Sequence, residues 1–257
     1  MFIHETAIVS PGAEIGEDCY IGAFCTVGAE VKLGAKVRLD SHVVIDGKTS
    51  VGDETHVFPF VSIGLAPQDL KYGGEETATE IGKRNQIREF VTIHRGTAGG
   101  GGLTRIGDDN LLMAQTHIAH DCEIGNEVIL ANAATLAGHV EIADKANIGA
   151  YSGIHQYCRI GYEAFVGGYS VVVKDAMPFA TIQGNHAKCY GLNRVGMRRR
   201  GYPKETIEKL HRAFHLLLSA KLNTSQAVEK IKNEIKDCKE VALLVEFIET
   251  SKRGVVK

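Results

Sequence analysis

The chain has 257 residues, 44% of them hydrophobic, a formal net charge of −2 and no tryptophan, which suits one large domain or two smaller ones. That charge leaves no global basic excess for nucleic acid or an anionic membrane, so an acidic partner would need a local basic patch. The N-terminus MFIHETAIVS has no basic stretch leading into an apolar run, and no segment approaches the roughly 18 consecutive apolar residues of a membrane span. The expectation is a cytoplasmic protein with no membrane span and no nucleic-acid partner.

From the N-terminus an aliphatic residue recurs in steps of six: Ile3, Val9, Ile15, Ile21, Val27, Leu33, Leu39, Ile45, Val51, Val57, Ile63. The register is lost and returns at Ile81, Ile87 and Ile93. It is lost again, then runs without a miss from Ile106 through Ile118, Leu136 and Ile154 to Val172. The residue after the aliphatic is often Gly or Asp, and the fifth position is small or β-branched. Alternation along a short strand turns the aliphatic and the residue two before it inward. Four of the six cysteines (Cys19, Cys25, Cys122, Cys158) fall at that inward fifth position and read as small buried hydrophobes. Cys189 and Cys238 complete the set, and no CxxC pair or zinc-finger spacing occurs.

From about Ala176 the hexads stop. After Tyr202-Pro203 a helical spacing begins: Ile207, Leu210, Phe214, Leu217 and Leu218, then Val228, Ile231 and Ile235, then Val241, Leu244, Val245 and Ile248. This predicts a β domain over 1–190, with loops near 65–80 and 99–105, and a helical domain over 191–257 that caps the open end of the repeat array.

Treating the two breaks as insertions puts every third hexad on one face, and one column runs Ile63, Ile93, Ile118, Leu136, Ile154, Val172. Along it lie His94, His117, His120, Asp121, Gly138, His139, His155 and Gln156, and both insertions leave from it. An isolated histidine on such a surface is ordinarily solvated. Five in one column point to proton transfer or metal binding. His120 beside Asp121 is the pairing that deprotonates a hydroxyl, and Gly138 one rung away lets a substrate approach a backbone N–H as an oxyanion donor must.

The pattern resembles the hexapeptide-repeat family over residues 1 to about 175. That resemblance implies a left-handed parallel β-helix, three hexads to a triangular coil, with roughly eight to nine coils over roughly 40 Å. The segments PQDLKY (67–72), REFVTIHRGT (88–97), HIAHDCEIGNEVILANAATLAGHV (117–140), IHQYCRIG (154–161), QGNH (183–186) and GLNRVGMRRRGY (191–202) resemble the UDP-N-acetylglucosamine 3-O-acyltransferase family, which performs the first step of lipid A synthesis. The resemblance implies His120 as general base supported by Asp121, and the Gly138 N–H as oxyanion donor. It places His94, His117, His139, His155, Gln156 and His186 around the sugar nucleotide and acyl group. Gln68, Asp69 and Lys71 would reach a site shared with a neighbouring subunit of a homotrimer, and Asn193, Arg199 and Arg200 would handle uridine and phosphate, for which guanidinium suits phosphate oxygens. The acyl donor would ride on the phosphopantetheine of acyl carrier protein, an acidic partner for the Arg198–Arg200 run, with no other cofactor and no metal. Gly168 matches a position that stops the acyl chain when it carries a side chain, so glycine implies a longer chain.

Alternatives differ by feature. The quoted motifs leave open a 3-amino acceptor and an amide product. The N-acyltransferase of the same pathway carries a domain before its hexads, whereas these begin at Ile3. A zinc hydratase on the same scaffold uses an HxxxxH spacing, and His117 and His120 are three apart. A purely structural β-helix would leave the histidine column unexplained.

Overall fold

The computed structural model describes residues 1–257. Each hexad contributes a short strand ending on its aliphatic residue, as in Tyr20–Ile21, Thr26–Val27 and Lys32–Leu33. Successive strands visit three sheets in turn, of 11, 9 and 8 strands. The result is the expected left-handed parallel β-helix. Registers Ile63↔Ile93, Ile93↔Ile118, Ile118↔Leu136, Leu136↔Ile154 and Ile154↔Val172 make the column deduced from the sequence a physical one, in the second sheet.

The repeat works because two of every six side chains fill the prism. Ile118, Leu136, Val128, Ala134 and Val140 are fully buried. Cys19, Cys25, Cys122 and Cys158 are buried as expected and all six cysteines are free. Burial pushes the Cys122 thiol up to about 12, so it is no nucleophile.

The corners carry a feature absent from the expectations. The fourth residue of most hexads is left-handed without being glycine: φ is 58° at Asp121, 62° at His139 and 62° at Tyr157. Coil after coil turns on such a residue, and each corner has its own chemistry. The corner after the first sheet carries stacked, exposed aromatics, among them Phe60 on Phe90 and Tyr151 on Tyr169. The corner after the second carries Asp121 and His139. The corner after the third is charged, with Glu127, Lys145 and Glu163 in succession.

Above Val172 the strand Ala180–Gln183 joins the first sheet, and Lys188–Leu192 folds back antiparallel on it. The boundary expected at 190/191 therefore falls inside a strand. Four helices follow: α1 (Arg194–Arg199), α2 (Lys204–Leu218), α3 (Thr224–Glu234) and α4 (Lys239–Glu249). Ile207, Leu210, Phe214 and Leu217 line the buried side of α2, which is the face their spacing predicted. The last residues return to the β-helix: Asp175 bridges Val255, and its carboxylate accepts from Arg159 N and from the Ser251 hydroxyl. No helix is long and apolar enough to cross a membrane.

Candidate functional site

At the second corner the Nδ1 of His120 lies 2.7 Å from Oδ2 of Asp121, whose side chain is 1% exposed. The carboxylate also receives the Thr97 N–H on Oδ1 at 2.9 Å and the Thr97 hydroxyl on Oδ2 at 2.6 Å. A carboxylate only accepts, so Nδ1 of His120 carries the proton and Nε2 offers a lone pair outward. Gly138 lies against the same ring: a Cβ there would stand 2.5 Å from His120 Cε1. Its N–H donates to no group of the chain and is free for an oxyanion.

Three further histidines surround the pair. His139 stands edge-on to His120 at 5.0 Å and stacks on Tyr157 at 4.3 Å. His117 meets Thr92 Oγ1 through Nδ1 at 2.7 Å and stands edge-on to His94. Burial lowers the pKa of His94 to about 4, helped by His117 and His120. Burial also lowers His117 and His139, the latter against the opposing charge of Asp121. His94, His117 and His139 are therefore largely uncharged at neutral pH, suited to hydrogen bonding. His94 is only 6% exposed, and both insertions leave the coil beside it.

Donor atoms of His120, Asp121 and His139 lie within 4.8 Å of one another, close enough in principle for a metal. Both oxygens of Asp121 already accept from Thr97 and His120, and a cation would have to break those bonds. The arrangement fits a base and its support better than a ligand set.

The first insertion holds Gln68 and Lys71 on the surface and Asp69 half-buried. The Asp69 carboxylate accepts from Lys71 N at 2.9 Å, and its charge reaches His139 of the same chain. His155 and Gln156 are exposed at the top of the column. His186 sits higher still, in the turn after Ala180–Gln183, where its neighbour Asn185 bridges Val171. The remaining candidates lie elsewhere in the chain. Gly168 is on the aromatic corner, where a Cβ would meet Ala150 O at 3.2 Å. Asn193 caps α1 by accepting from Gly196 N. Arg200 sits on the charged corner, 3.3 Å from Glu163 and donating to Lys145 O, and Arg199 is exposed beside it. The main clefts of the chain also lie away from the histidine column.

Sequence reasoning missed Thr97, which stands at the edge of the second insertion, and Arg253, 98 residues from His155. Arg253 Nη2 lies 3.3 Å from His155 Nδ1 and donates to Val173 O. Gly96 and Gly100, on either side of Thr97, were a signal for a close approach to Asp121. Nothing in the sequence pointed to Arg253.

A protein of Thermodesulfovibrio yellowstonii, named acyl-[acyl-carrier-protein]–UDP-N-acetylglucosamine O-acyltransferase, is 51% identical over 255 residues, covering 99% of each chain. The chain belongs to the UDP-N-acetylglucosamine O-acyltransferase family. Residues 175–256 match the family described as Udp N-acetylglucosamine O-acyltransferase, Domain 2, and residues 103–138 match the bacterial transferase hexapeptide family. Among solved members of this acyltransferase family, LpxA from Acinetobacter baumannii is 45% identical with a TM-score of 0.98 over 100% of both chains. LpxA from Bacteroides fragilis, described as a UDP-N-acetylglucosamine acyltransferase, is 38% identical with a TM-score of 0.97, also over 100% of both. The likeness spans β-helix, corner loops and helical cap together, so the column of histidines sits in the frame common to this acyltransferase family.

Proposed function

We propose that this acyltransferase moves a 3-hydroxyacyl chain from the phosphopantetheine thioester of acyl carrier protein to the 3-hydroxyl of UDP-N-acetylglucosamine, the first step of lipid A biosynthesis. The observation that carries the residue assignment is the His120–Asp121 pair lying against the free N–H of Gly138. His120 Nε2 takes the proton of the sugar hydroxyl as its oxygen attacks the thioester carbonyl. The Gly138 N–H stabilises the tetrahedral oxyanion. Collapse expels the thiolate, which recovers the proton from the His120 imidazolium. The base is worth about 10²–10⁴-fold and the oxyanion donor about 10²–10³-fold. No other cofactor is needed for this chemistry.

His94, His117, His139, His155, Gln156 and His186 surround the sugar nucleotide and the acyl group, with Gln68, Asp69 and Lys71 from the loop. Asn193, Arg199 and Arg200 take the uridine and phosphates. Because the arginines and the histidines of one chain occupy different corners, a neighbouring subunit supplies the other half, and the protein works as a homotrimer. The basic run Arg198–Arg200 favours the acidic carrier protein. Gly168 leaves room for a long acyl chain. The cytoplasm is where these substrates meet. Neither the 3-amino acceptor nor the zinc hydratase finds support in the comparisons.

The test incubates the protein with 3-hydroxyacyl carrier proteins of several lengths and with UDP-N-acetylglucosamine or its 3-amino analogue, products being read by mass spectrometry. Ester product is expected, with His120→Ala lower by at least about 10²-fold. Equal activity in His120→Ala would remove the base assignment, and amide product alone would overturn the acceptor.

A further inference from the structure

The second insertion is exposed only at its tip, at Ala98, Gly99 and Gly101. It bends back over the corner from which it left, with Gly102 N and Gly100 N both donating to Thr97 O. Thr97 is 8% exposed and spends its N–H and its hydroxyl on the two oxygens of Asp121. The other end of the loop also touches this residue: the Asp121 N–H donates to Thr104 Oγ1 at 2.8 Å. Glycines make the wrap possible. A Cβ at Gly100 would overlap the Asp121 carboxyl group, and one at Gly96 would stand 2.8 Å from its Oδ1.

The carboxylate is thus enclosed by donors on both oxygens, with His120 Nδ1 as the third. Fixed donors on Oδ1 and Oδ2 prevent the group from rotating about its Cβ–Cγ bond. Oδ2 is left facing His120. A loop inserted one coil below the base would therefore set the geometry of the base.

We infer that Thr97 is a positioning residue. It locks the Asp121 carboxylate so that His120 keeps its proton on Nδ1 and presents Nε2 to the acceptor hydroxyl. The inference rests on the reading of His120 and Asp121 as base and support. It differs from a role in holding the loop closed, because its effect passes through Asp121 alone.

The test is a double-mutant cycle on the full-length protein with the acyl-transfer assay. Thr97→Val keeps the shape and removes the hydroxyl. It is expected to lower kcat by about 10–100-fold with the KM for the sugar nucleotide little changed. Thr97→Ser should restore kcat to within about threefold of wild type, since its hydroxyl can make the same bond. In an Asp121→Ala background, Thr97→Val should cost nothing further. The same fractional loss in both backgrounds would show a structural role and overturn the inference, as would failure of Ser to rescue. A large effect of Asp121→Ala beside an unchanged kcat in Thr97→Val would overturn the inference and leave the pair intact. An unchanged kcat in Asp121→Ala would instead sink the reading on which it rests. If the valine variant does not fold, Thr97→Ala carries the same comparison.

Discussion

At the scale of single residues, the histidine column is shaped by burial rather than by opposite charge. His94 is enclosed beside the two insertions, its Nδ1 has no partner, and its pKa falls to about 4 from an ordinary 6.5. The unfolded chain takes up this proton as the pH drops below 6.5, whereas the folded chain resists until about 4. His94 therefore leaves stability intact above pH 6.5 and erodes it between 6.5 and 4, by about 3 kcal/mol at the lower end. Urea unfolding at fixed protein concentration should show His94→Gln losing less stability than wild type on going from pH 7 to 4.5. Parallel losses in the two proteins would place the burden on other groups. The position of His94 in the column was legible from the hexad register. Its burial was not, because the two insertions that leave the coil beside it lie outside that register.

At the scale of elements, the hexads state their own register and the loops do not. Each strand is specified locally by one aliphatic and one small inward residue, which is why the column could be drawn without coordinates. The insertions could be measured only as lost register. That one of them folds back to grip Asp121 depends on Thr97, Gly96 and Gly100 finding a carboxylate one coil above. Helix α1 was also missed, since six residues are too few for a period to show. The C-terminal segment is the clearest case of an element whose role is decided at a distance. It pairs with Asp175 and so carries Arg253 to His155. His155 Nδ1 also lies 3.0 Å from Gln156 O, which only accepts, so Nδ1 carries the proton and Arg253 flanks the ring while donating to Val173 O. Arg253→Ala, which removes the guanidinium flanking His155, is expected to raise the sugar-nucleotide KM about fivefold, with a smaller change in kcat. Unchanged kinetics with the tail still docked would make Arg253 a packing residue only.

At the scale of the whole molecule, the prism distributes its chemistry over three edges. Histidines and loops occupy one corner, the Arg199–Arg200 segment another, and exposed Phe24, Phe60, Phe90, Tyr151 and Tyr169 the third. In one chain the proposed base and the proposed phosphate ligands stand on different edges. The shared-site arrangement predicts complementation. His120→Ala and an Arg199→Ala/Arg200→Ala double variant, each nearly inactive alone, should regain part of the activity when unfolded together and refolded as mixed oligomers. Mixed subunits that remain as inactive as either parent would mean that one chain holds a complete site. A monomer with full activity would say the same.

The sequence by itself determined the repeat, the inward positions, the column of histidines and the helical spacing of the three longer cap segments. All of these follow from spacing along the chain, because a coil of fixed length turns residue number into height and face. Tertiary structure alone decided how Asp121 is held, which histidines are buried, where the tail returns and which corner each candidate occupies. Those features rest on contacts between segments with no common period, such as Thr97 with Asp121 and Arg253 with His155. Such contacts exist only once the coils have stacked.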